Sequence, residues 1–427
     1  MSRKKKDSPS STASSDEREL PRLCVPEDRE LDDIVDAYML ANENTEPPKN
    51  YHLWVALSCL SAALQRRCWL DWFSLRIYPN LYVALVGPPG ATRKGTALSF
   101  GRELLSVAQI PRCADATTRA AFIQSLERCR SAFIYGDQIH EHCSMTAFSS
   151  ELTVLLGHND KLFLDNLTDL FDCGDYFEYD TKTQGRNTMS NVWLSLLGAT
   201  TQGALRAALP EHAFSGGFLS RFIAVCESKK YKHVACPERS PEEHELWSLV
   251  KRDYPRLLNL AGSFAFDESY REAYVAWYAE SAENPPFRDP KLDAYTSRRP
   301  LHLWKLSMLS SASRSNDMQL TSFDFERARD WLAAAEYRMP QAFSGLGKHQ
   351  LAEILKSMMG FIGTMRATTV GELMKLHHED ITYDDLEKML QTLQAMNFVT
   401  VVKSPVFAAT KVILNETSEN RTDANVN

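Results

Sequence analysis

The sequence lacks the cysteine patterns that would indicate a disulfide framework or a structural zinc site. Its nine cysteines are an odd number, and no two of them are separated by only two residues. Closely spaced cysteine pairs are typical of zinc sites, whereas scattered cysteines are typical of chains kept reduced. We therefore expect free thiols and a cytoplasmic location.

A long apolar run and an excess of positive charge are also missing. The stretch "LWVALSCLSAAL" at 53–64 is shorter than the ~20 residues that a bilayer requires. The first 27 residues are basic and then serine-rich, without the apolar centre of a secretion signal, so they predict a disordered leader. A net charge of -7 argues against a surface covered in nucleic-acid-binding charge, although it is compatible with a local basic groove. We expect no membrane association.

The residue pattern predicts several domains. Apolar residues first recur with helical spacing, and then short apolar runs alternate with helical stretches, which is typical of an α/β domain with a largely parallel sheet. Near the end, three helical patterns and two short strands suggest a winged helix. The predicted organisation is a leader (1–27), N-terminal helices (28–74), an α/β core (75–232), a helical lid region (233–346), a winged helix (347–415) and a disordered tail (416–427).

One stretch at 81–104, "LYVALVGPPGATRKGTALSFGREL", combines a strand, a Pro/Gly-rich turn and a helix. A phosphate-binding loop needs exposed backbone N–H groups, a helix N-terminus behind them and a lysine that reaches the β- and γ-phosphates. Permissive glycines, a well-placed Lys94 and the Thr96 hydroxyl supply these parts. The sequence therefore predicts a strand–loop–helix site for ATP and Mg²⁺, formed by Gly87, Pro88, Pro89, Gly90, Ala91, Thr92, Arg93, Lys94, Gly95 and Thr96.

This loop departs from the usual template at three places. Gly87 and Lys94 are seven positions apart instead of six, Arg93 replaces the second glycine, and Gly95 stands where Ser or Thr normally binds Mg²⁺. Because a left-handed non-glycine residue costs about 1 kcal/mol or more, we expect the longer loop to follow a path that relieves this strain. Arg93 then either adds a second positive charge near the phosphates or forms a surface salt bridge, and Thr96 supplies the metal hydroxyl.

A series of motifs resembles an uncharacterised family of phage and plasmid P-loop ATPases. The resemblance covers roughly 52–229, and members of that family often neighbour or adjoin primase modules and are regarded as primase/helicase-like. It implies a RecA/AAA+-like parallel sheet and an oligomeric, helicase-like or loader ATPase in phage or plasmid DNA replication, with single-stranded DNA or primase and other replication proteins as partners. The motifs are "YHLWVALSCLSAAL", "YPNLYVALVGPPG", "RKGTAL", "SSELTVLLG", "LTDLFDC", "LLGATTQGALRAALP" and "SGGFLSRFIAVCE".

The resemblance also implies a catalytic carboxylate. "MTAFSSE" looks like the second strand of the ATPase, which makes Glu151 the candidate base or water-orienting group beside the γ-phosphate. The alternative is a carboxylate that only stabilises a helix N-terminus. Ser150 occupies the position of the usual magnesium-holding Asp, so Ser150 and Glu151 join Thr96 as metal candidates. Acids that would compensate for the missing Asp are Asp137, Asp165 and Asp172.

The resemblance further implies a residue that senses the γ-phosphate and several cationic residues that act on the nucleotide. "LLGATT" looks like the third strand, where ring ATPases place a polar γ-phosphate sensor, here Thr200 or Thr201 with Gln202 as a neighbour. "GGFLSRF" places Arg221 as the catalytic arginine that acts across a subunit interface, the alternative being an ion pair with a neighbouring acid. Other candidate cations that would sense nucleotide from the lid region are Arg298, Arg299 and Lys305.

Two other functions stay open at this point. "GPPGATRKGT" also resembles the "GPPGAGKGT" loop of adenylate kinase with one inserted residue, which suggests a nucleotide kinase-like phosphotransferase. The altered magnesium positions and the acidic balance suggest an ATP-dependent switch or scaffold without unwinding activity. Between 366 and 403, four basic residues stand against six acidic ones, so a protein contact or a packing role suits the winged helix at least as well as duplex binding.

Overall fold

A computed structural model describes residues 29–115, 117–157, 160–181, 185–209, 217–343, 350–378 and 381–415. The predicted leader and tail lie outside these residues. The chain divides into two compact units between Phe343 and Ser344, close to the boundary predicted at 346/347. Within the described ranges, no helix has the length and apolar character needed to cross a bilayer.

The first unit alternates helices and strands. Its described helices are α1 (Ile34–Ala41), α2 (Lys49–Leu64), α3 (Lys94–Val107), α4 (Arg119–Arg128), α5 (Leu152–Leu156), α6 (Lys161–Phe171), α7 (Gln202–Ala208), α8 (Pro241–Asp253), α9 (Glu268–Glu283), α10 (Asp293–Arg314), α11 (Ser322–Glu336) and α12 (Met339–Phe343). Its described strands are β1 (Cys68–Trp72), β2 (Leu75–Ile77), β3 (Tyr82–Val86), β4 (Arg130–Tyr135), β5 (Gln138–Ser149), β6 (Tyr176–Thr181), β7 (Gly185–Ser190), β8 (Val192–Thr200), β9 (Phe222–Cys226), β10 (Gly262–Phe266) and β11 (Gln319–Leu320).

The core is a five-stranded sheet in the order β4-β5-β8-β3-β9. Strands β5, β8, β3 and β9 are parallel, and β4 pairs with β5 in the antiparallel sense. All residues of β3, β8 and β9 are buried, as expected for parallel strands that read as continuous apolar runs. The predicted α/β core with mostly parallel strands is confirmed, and so are its strands at "SAFIYG", "MTAFSSE", "VWLSLLGATT" and "RFIAVCE".

The parallel strands give the sheet two chemically different edges. We call the edge at which β3, β5, β8 and β9 end the loop edge, and the edge at which they begin the amino edge. Strand β8 follows β5 in the chain but lies between β5 and β3, and β9 lies on the other side of β3. The turn after β3 therefore emerges between the ends of two neighbouring strands.

Helix α2 is shorter than the sequence pattern suggests. In the sequence, the helical spacing of apolar residues extends to Leu70. In the structure, α2 ends at Leu64, and Gln65 adopts a left-handed φ of 54°. The chain then enters β1, which lies in a second sheet of order β11-β10-β1-β2. Sequence reasoning missed this sheet because β1 takes its parallel partner β10 from the region predicted as a helical lid.

The second unit contains the three predicted helices and the predicted hairpin. They are α13 (Gln350–Met365), α14 (Val370–His377), α15 (Tyr383–Ala395), β13 (Val399–Val402) and β14 (Lys411–Leu414), and an unpredicted strand, β12 (Ala367–Thr369), pairs with β14. Their core includes Leu373, Leu386, Leu393 and Val412, all fully buried. Helix α15 begins with a capping box in which Asp385 accepts from the backbone of Thr382. That acidic first turn disfavours α15 as a reader of duplex DNA.

Candidate functional site

Gly87 lies in a space that admits no side chain. A Cβ at this position would stand 2.6 Å from the Tyr51 hydroxyl, 2.7 Å from the Glu227 carbonyl oxygen and 2.7 Å from Oγ1 of Thr92. Real Cβ atoms do not approach other heavy atoms so closely. The chain can therefore turn out of β3 here only because residue 87 is glycine.

The loop between Gly87 and α3 uses two left-handed residues. Gly90 has a φ of 68°, and Arg93, which directly precedes α3, has φ 52° and ψ 37°. The expectation that the extra residue would spare Arg93 this conformation is wrong. The inserted position lengthens the turn, but the entry into α3 still requires a left-handed residue.

Arg93 forms the surface salt bridge that was one of its two predicted roles. Its Nε lies 2.7 Å from Oε2 of Glu46, and its side chain is about half exposed. Glu46 also accepts hydrogen bonds from Lys230 Nζ and, at 3.4 Å, from the backbone N–H of Val234. These contacts, with Lys230 first and Arg93 next, lower the pKa of Glu46 to about 2. The residue in the second-glycine position is thus tied to the chain before α2.

The start of α3 presents unused backbone donors. The first turn of α3 is closed by bonds from the N–H groups of Thr96 and Ala97 to the Arg93 carbonyl. The N–H groups of Gly90, Lys94 and Gly95 donate to no described residue, and neither does that of Arg93. Such donors at a helix N-terminus, combined with the helix dipole, favour a bound anion.

Lys94 folds back over the loop. Its Nζ donates to the Gly87 carbonyl at 2.6 Å and to the Pro88 carbonyl at 3.0 Å. Partial burial lowers the pKa of Lys94, and the negative charge of Glu151 opposes that shift. The ammonium group is therefore held by neutral carbonyls inside the loop and lies within the field of the predicted catalytic carboxylate.

Glu151 stands at the loop edge just beyond β5. It occupies the N-cap position of the short helix α5, but its side chain makes no capping hydrogen bond. Its backbone oxygen accepts from the Ser149 hydroxyl at 2.9 Å and from the N–H groups of Val154 and Leu155 at 3.0 and 3.3 Å. Ser150 beside it is exposed as well. The Glu151 side chain thus lies at a helix N-terminus, as its alternative role requires, but it forms no capping hydrogen bond there.

Thr200 adjoins the loop directly. It is the last residue of β8, pairs in register with Val86, and accepts a hydrogen bond from the Gly87 N–H at 3.3 Å through its carbonyl. Its hydroxyl donates to the Thr201 carbonyl at 3.2 Å, and Thr201 itself caps α7 by accepting from Ala204. The candidate sensor is therefore next to the loop, although its hydroxyl is buried and already bonded.

The catalytic arginine candidate lies at the amino edge, away from the loop. Arg221 immediately precedes β9, and its side chain is only 7% exposed. Its Nη2 pairs with Oδ2 of Asp172 at 2.5 Å, and Arg298 approaches the other oxygen of that carboxylate at 3.4 Å. The ion pair with an acid, which was the alternative for Arg221, is the arrangement observed within one chain.

Two further lid-region cations also lie away from the loop. Lys305 is buried, donates to Asn80 Oδ1 and to the Tyr78 carbonyl just before β3, and burial lowers its pKa to about 8. Arg299 pairs with the buried Glu336 at 2.7 Å. Neither side chain is placed to contact a ligand on the predicted phosphate loop of its own chain.

The metal candidates are not assembled into a cluster. Thr96 is exposed and lines a cleft on the flank of α3, together with Arg93 and Phe100. Of the compensating acids, Asp172 is paired at the amino edge and Asp137 precedes β5, at the opposite end of that strand from Ser150. Asp165 is exposed on α6. Among the described residues, no three His, Cys, Asp or Glu side chains converge as a metal site.

Sequence reasoning missed residues that support the loop edge. The Tyr51 hydroxyl donates to the Val86 carbonyl at 2.7 Å, while Asn50 Nδ2 and Arg338 Nη1 contact the two carboxylate oxygens of Glu227 at 3.0 and 2.7 Å. Glu227 directly follows β9, so the rule that ligands lie beyond the carboxyl ends of parallel strands was a signal for it. The other three come from helical regions whose local sequence carries no such signal.

Two clefts flank the loop. The helix cleft, of about 480 Å³, lies beside α3 and is lined by residues that include Asn44, Glu46, Arg93, Thr96, Phe100 and Arg239. The strand-end cleft, of about 380 Å³, lies beyond the strands and is lined by residues that include Gly87, Pro88, Pro89, Thr201, Glu227 and Gln341. Both volumes are in the range of small-molecule sites.

Comparison with known protein families and with curated proteins finds no family model and no curated protein that matches this chain. The resemblance to phage and plasmid ATPases therefore stays a prediction. What the structure contributes is the set of contacts around the loop.

We expect Gly87→Ala to destabilise the first unit by about 1–3 kcal/mol, because the added methyl group overlaps three fixed atoms. The matched control is Gly95→Ala, where an added Cβ meets no atom within 4 Å and lies in a helix. That control should be neutral or stabilising by up to ~1 kcal/mol. Urea unfolding of both variants measures the difference, and equal stabilities would contradict the crowding at Gly87.

Proposed function

We propose that this protein is a P-loop ATPase that binds ATP with Mg²⁺ and hydrolyses it. The observation that carries the proposal is the position of Lys94. Its ammonium group is bonded only to carbonyl oxygens among the described residues, at a helix start with unbonded N–H donors, and in the field of Glu151. A positive site without a carboxylate partner, opposite a separate carboxylate, is suited to phosphoryl transfer to water.

The loop residues fit the phosphates of a nucleotide. The free N–H groups of Gly90, Arg93, Lys94 and Gly95 would bind phosphate oxygens, and Lys94 would exchange its carbonyl partners for the β- and γ-phosphates. Gly87 permits the close backbone turn on which this cradle depends. These contacts need only the backbone and one side chain, so the departures from the usual template do not prevent them.

The metal is expected to arrive on the nucleotide. Mg²⁺ in such sites keeps several waters and phosphate ligands and takes only one or two protein oxygens. Ser150 and Glu151, exposed at the end of β5, fit that limited part, whereas Gly95 has no hydroxyl and Thr96 lines the helix cleft. When bound, Mg²⁺ would neutralise charge on the phosphates.

In the proposed reaction, Glu151 orients the attacking water and accepts its proton, and Lys94 stabilises the charge on the phosphate oxygens. Thr200 would act through its backbone, because its carbonyl accepts a hydrogen bond from the Gly87 N–H and thereby fixes the start of the loop.

We expect Lys94→Ala to lower the affinity for ATP by about 10- to 100-fold, because charged hydrogen bonds to the phosphates are lost. Lys251→Ala is the matched control. Its ammonium group is also partly buried and bonded, but to Glu103 and on α8, away from the loop. Isothermal titration calorimetry with MgATP measures both affinities. An unchanged affinity for MgATP in a correctly folded Lys94→Ala variant would contradict the proposal.

Glu151→Gln is expected to separate binding from turnover. The amide keeps the size of the side chain and cannot accept the proton of water, so ATP should still bind while the rate of phosphate release falls by about 100-fold or more. Glu141→Gln, on the exposed part of β5, is the control and should turn over ATP at the wild-type rate. Wild-type turnover in Glu151→Gln would assign the catalytic role to another group.

We further propose that the ATPase works as an oligomer, as a helicase-like or loader protein in phage or plasmid DNA replication. This part rests on the resemblance, which also suggests single-stranded DNA or primase and other replication proteins as partners. In such an assembly, the amino edge of one subunit would face the loop edge of the next, and Arg221 would leave Asp172 for the neighbour's phosphates.

A mixing experiment tests the role of Arg221 across subunits. Inactive Arg221→Ala and Lys94→Ala proteins, mixed in varied ratios, should regain part of the wild-type ATP turnover, because some interfaces then combine an intact loop with an intact arginine. Thermal melting must show that Arg221→Ala is folded, since the side chain is buried. With a folded variant, failure to regain activity at every ratio would make the pair with Asp172 structural only.

A switch or scaffold without unwinding activity is the second candidate. It is supported by Ser150 in place of the usual acid and by the engagement of Arg221 within its own chain. Turnover measured with and without single-stranded DNA, together with strand displacement, distinguishes the two functions. Stimulation and displacement favour the motor, and hydrolysis without either favours the switch. The kinase alternative gains no support, because Arg221, Arg298 and Arg299 do not form a second phosphate site beside the loop.

A further inference from the structure

We infer that the nucleoside part of the bound nucleotide occupies the helix cleft, between segment 41–46, the first half of α3 and segment 234–243. The inference rests on the proposed nucleotide-binding function, and it assigns the ligand class as a nucleoside triphosphate, as opposed to a free polyphosphate. The strand-end cleft on the other side of the loop is the competing location.

One face of α3 connects the loop with the helix cleft. Arg93, Thr96 and Phe100 are spaced so that they lie on the same side of the helix, and all three line this cleft. Ala97 and Leu98 are buried and face the core instead. Phe100 lies six residues beyond Lys94, which is about 9 Å along the helix axis. A ligand whose phosphates rest on the helix start can therefore extend along this face.

The far wall of the cleft carries a fixed planar cation. The Arg239 guanidinium lies 4.6 Å from the centre of the Trp247 ring and 5.3 Å from that of Phe100. Its Nη2 donates to Asn42 Oδ1 at 2.8 Å and its Nε donates to the Ala41 carbonyl at 3.2 Å. A flat guanidinium held in place beside an aromatic ring is a surface on which a nucleobase can stack.

The histidine behind this wall stays neutral. His52 is buried next to Phe100, with ring centres 5.7 Å apart, and its Nε2 lies 2.8 Å from the Thr45 hydroxyl. Burial, helped by the positive charge of Arg239, lowers the pKa of His52 to about 4. The cationic residues in the described lining are Arg239 and Arg93, and Arg93 is paired with Glu46. The cleft thus combines a stacking surface with polar side chains, among them Glu46, Glu238 and Glu243.

The strand-end cleft lacks these features. It is smaller, at about 380 Å³, and its described lining has no aromatic ring. Carboxylates do not distinguish the two clefts, because Glu227 lines the strand-end cleft and Glu46, Glu238 and Glu243 line the helix cleft. A base placed there would contact prolines, small residues and amides. The comparison favours the helix cleft.

Calorimetry with two probes, MgATP and Mg-tripolyphosphate, tests the assignment on the full chain. Tripolyphosphate reports the phosphate loop alone, and ATP reports the loop and the nucleoside site together. We expect Phe100→Ala and Ala235→Trp, which remove a wall and fill the helix cleft respectively, to lower ATP affinity by about tenfold or more. Tripolyphosphate affinity should stay within about twofold. Ala235 is exposed, so its substitution leaves the fold intact even if Phe100→Ala does not.

Gly203→Trp is the matched control, because it fills the strand-end cleft at a helical position where an added Cβ meets no atom within 4 Å. It should leave both affinities unchanged. Selective loss of ATP affinity in Gly203→Trp, or equal losses of ATP and tripolyphosphate affinity in Ala235→Trp, would overturn the assignment while leaving the phosphate site standing. If neither probe binds the wild-type protein, both the proposed function and the proposed nucleoside site are wrong.

Discussion

The crowding around Gly87 is the constraint on which the rest of the site depends. Strand β3 ends between β8 and β9, and the Gly87 N–H is held by Thr200 of one neighbour while Glu227 of the other closes over it. Tyr51 adds a third wall from α2. The loop leaves this space beyond the strand ends and turns into α3 at Lys94. The free N–H groups and Lys94 follow from that path.

Three arginines of the lid side and Lys94 differ in how their charges are compensated. At the amino edge, Arg221, Arg298 and Arg299 each have a carboxylate partner. At the loop edge, Lys94 has only carbonyl oxygens as direct partners among the described residues. A guanidinium that already pairs with a carboxylate gains little from another anion, whereas an ammonium on neutral carbonyls gains a full charge interaction. Lys305 also lies on neutral oxygens, but it is buried, whereas Lys94 is only partly buried. This difference supports the proposed anion site at the loop edge.

Sequence reasoning predicted the structural features that local residue patterns determine. It missed the features that depend on contacts between residues far apart in the chain. The strands of the core, the helix after the loop, and the helices and hairpin of the second unit follow from apolar periodicity, and the structure has them. The second sheet was not predicted, because β1 and β10 are far apart in the chain. The ion-pair partner of Arg221 was not identified for the same reason, since the motif around Arg221 gives no information about Asp172.

The left-handed conformation of Arg93 shows how the loop is joined to its surroundings. A non-glycine residue in this region costs about 1 kcal/mol or more, and a loop under that strain keeps its shape only when neighbours hold it. Glu46 supplies the hold, and the same residue accepts from Lys230 while its backbone carbonyl accepts from the Tyr231 N–H at 2.9 Å. Three segments that are distant in sequence thus meet at one carboxylate. All three continue into the walls of the helix cleft, so a ligand that orders those walls also steadies the entry into α3.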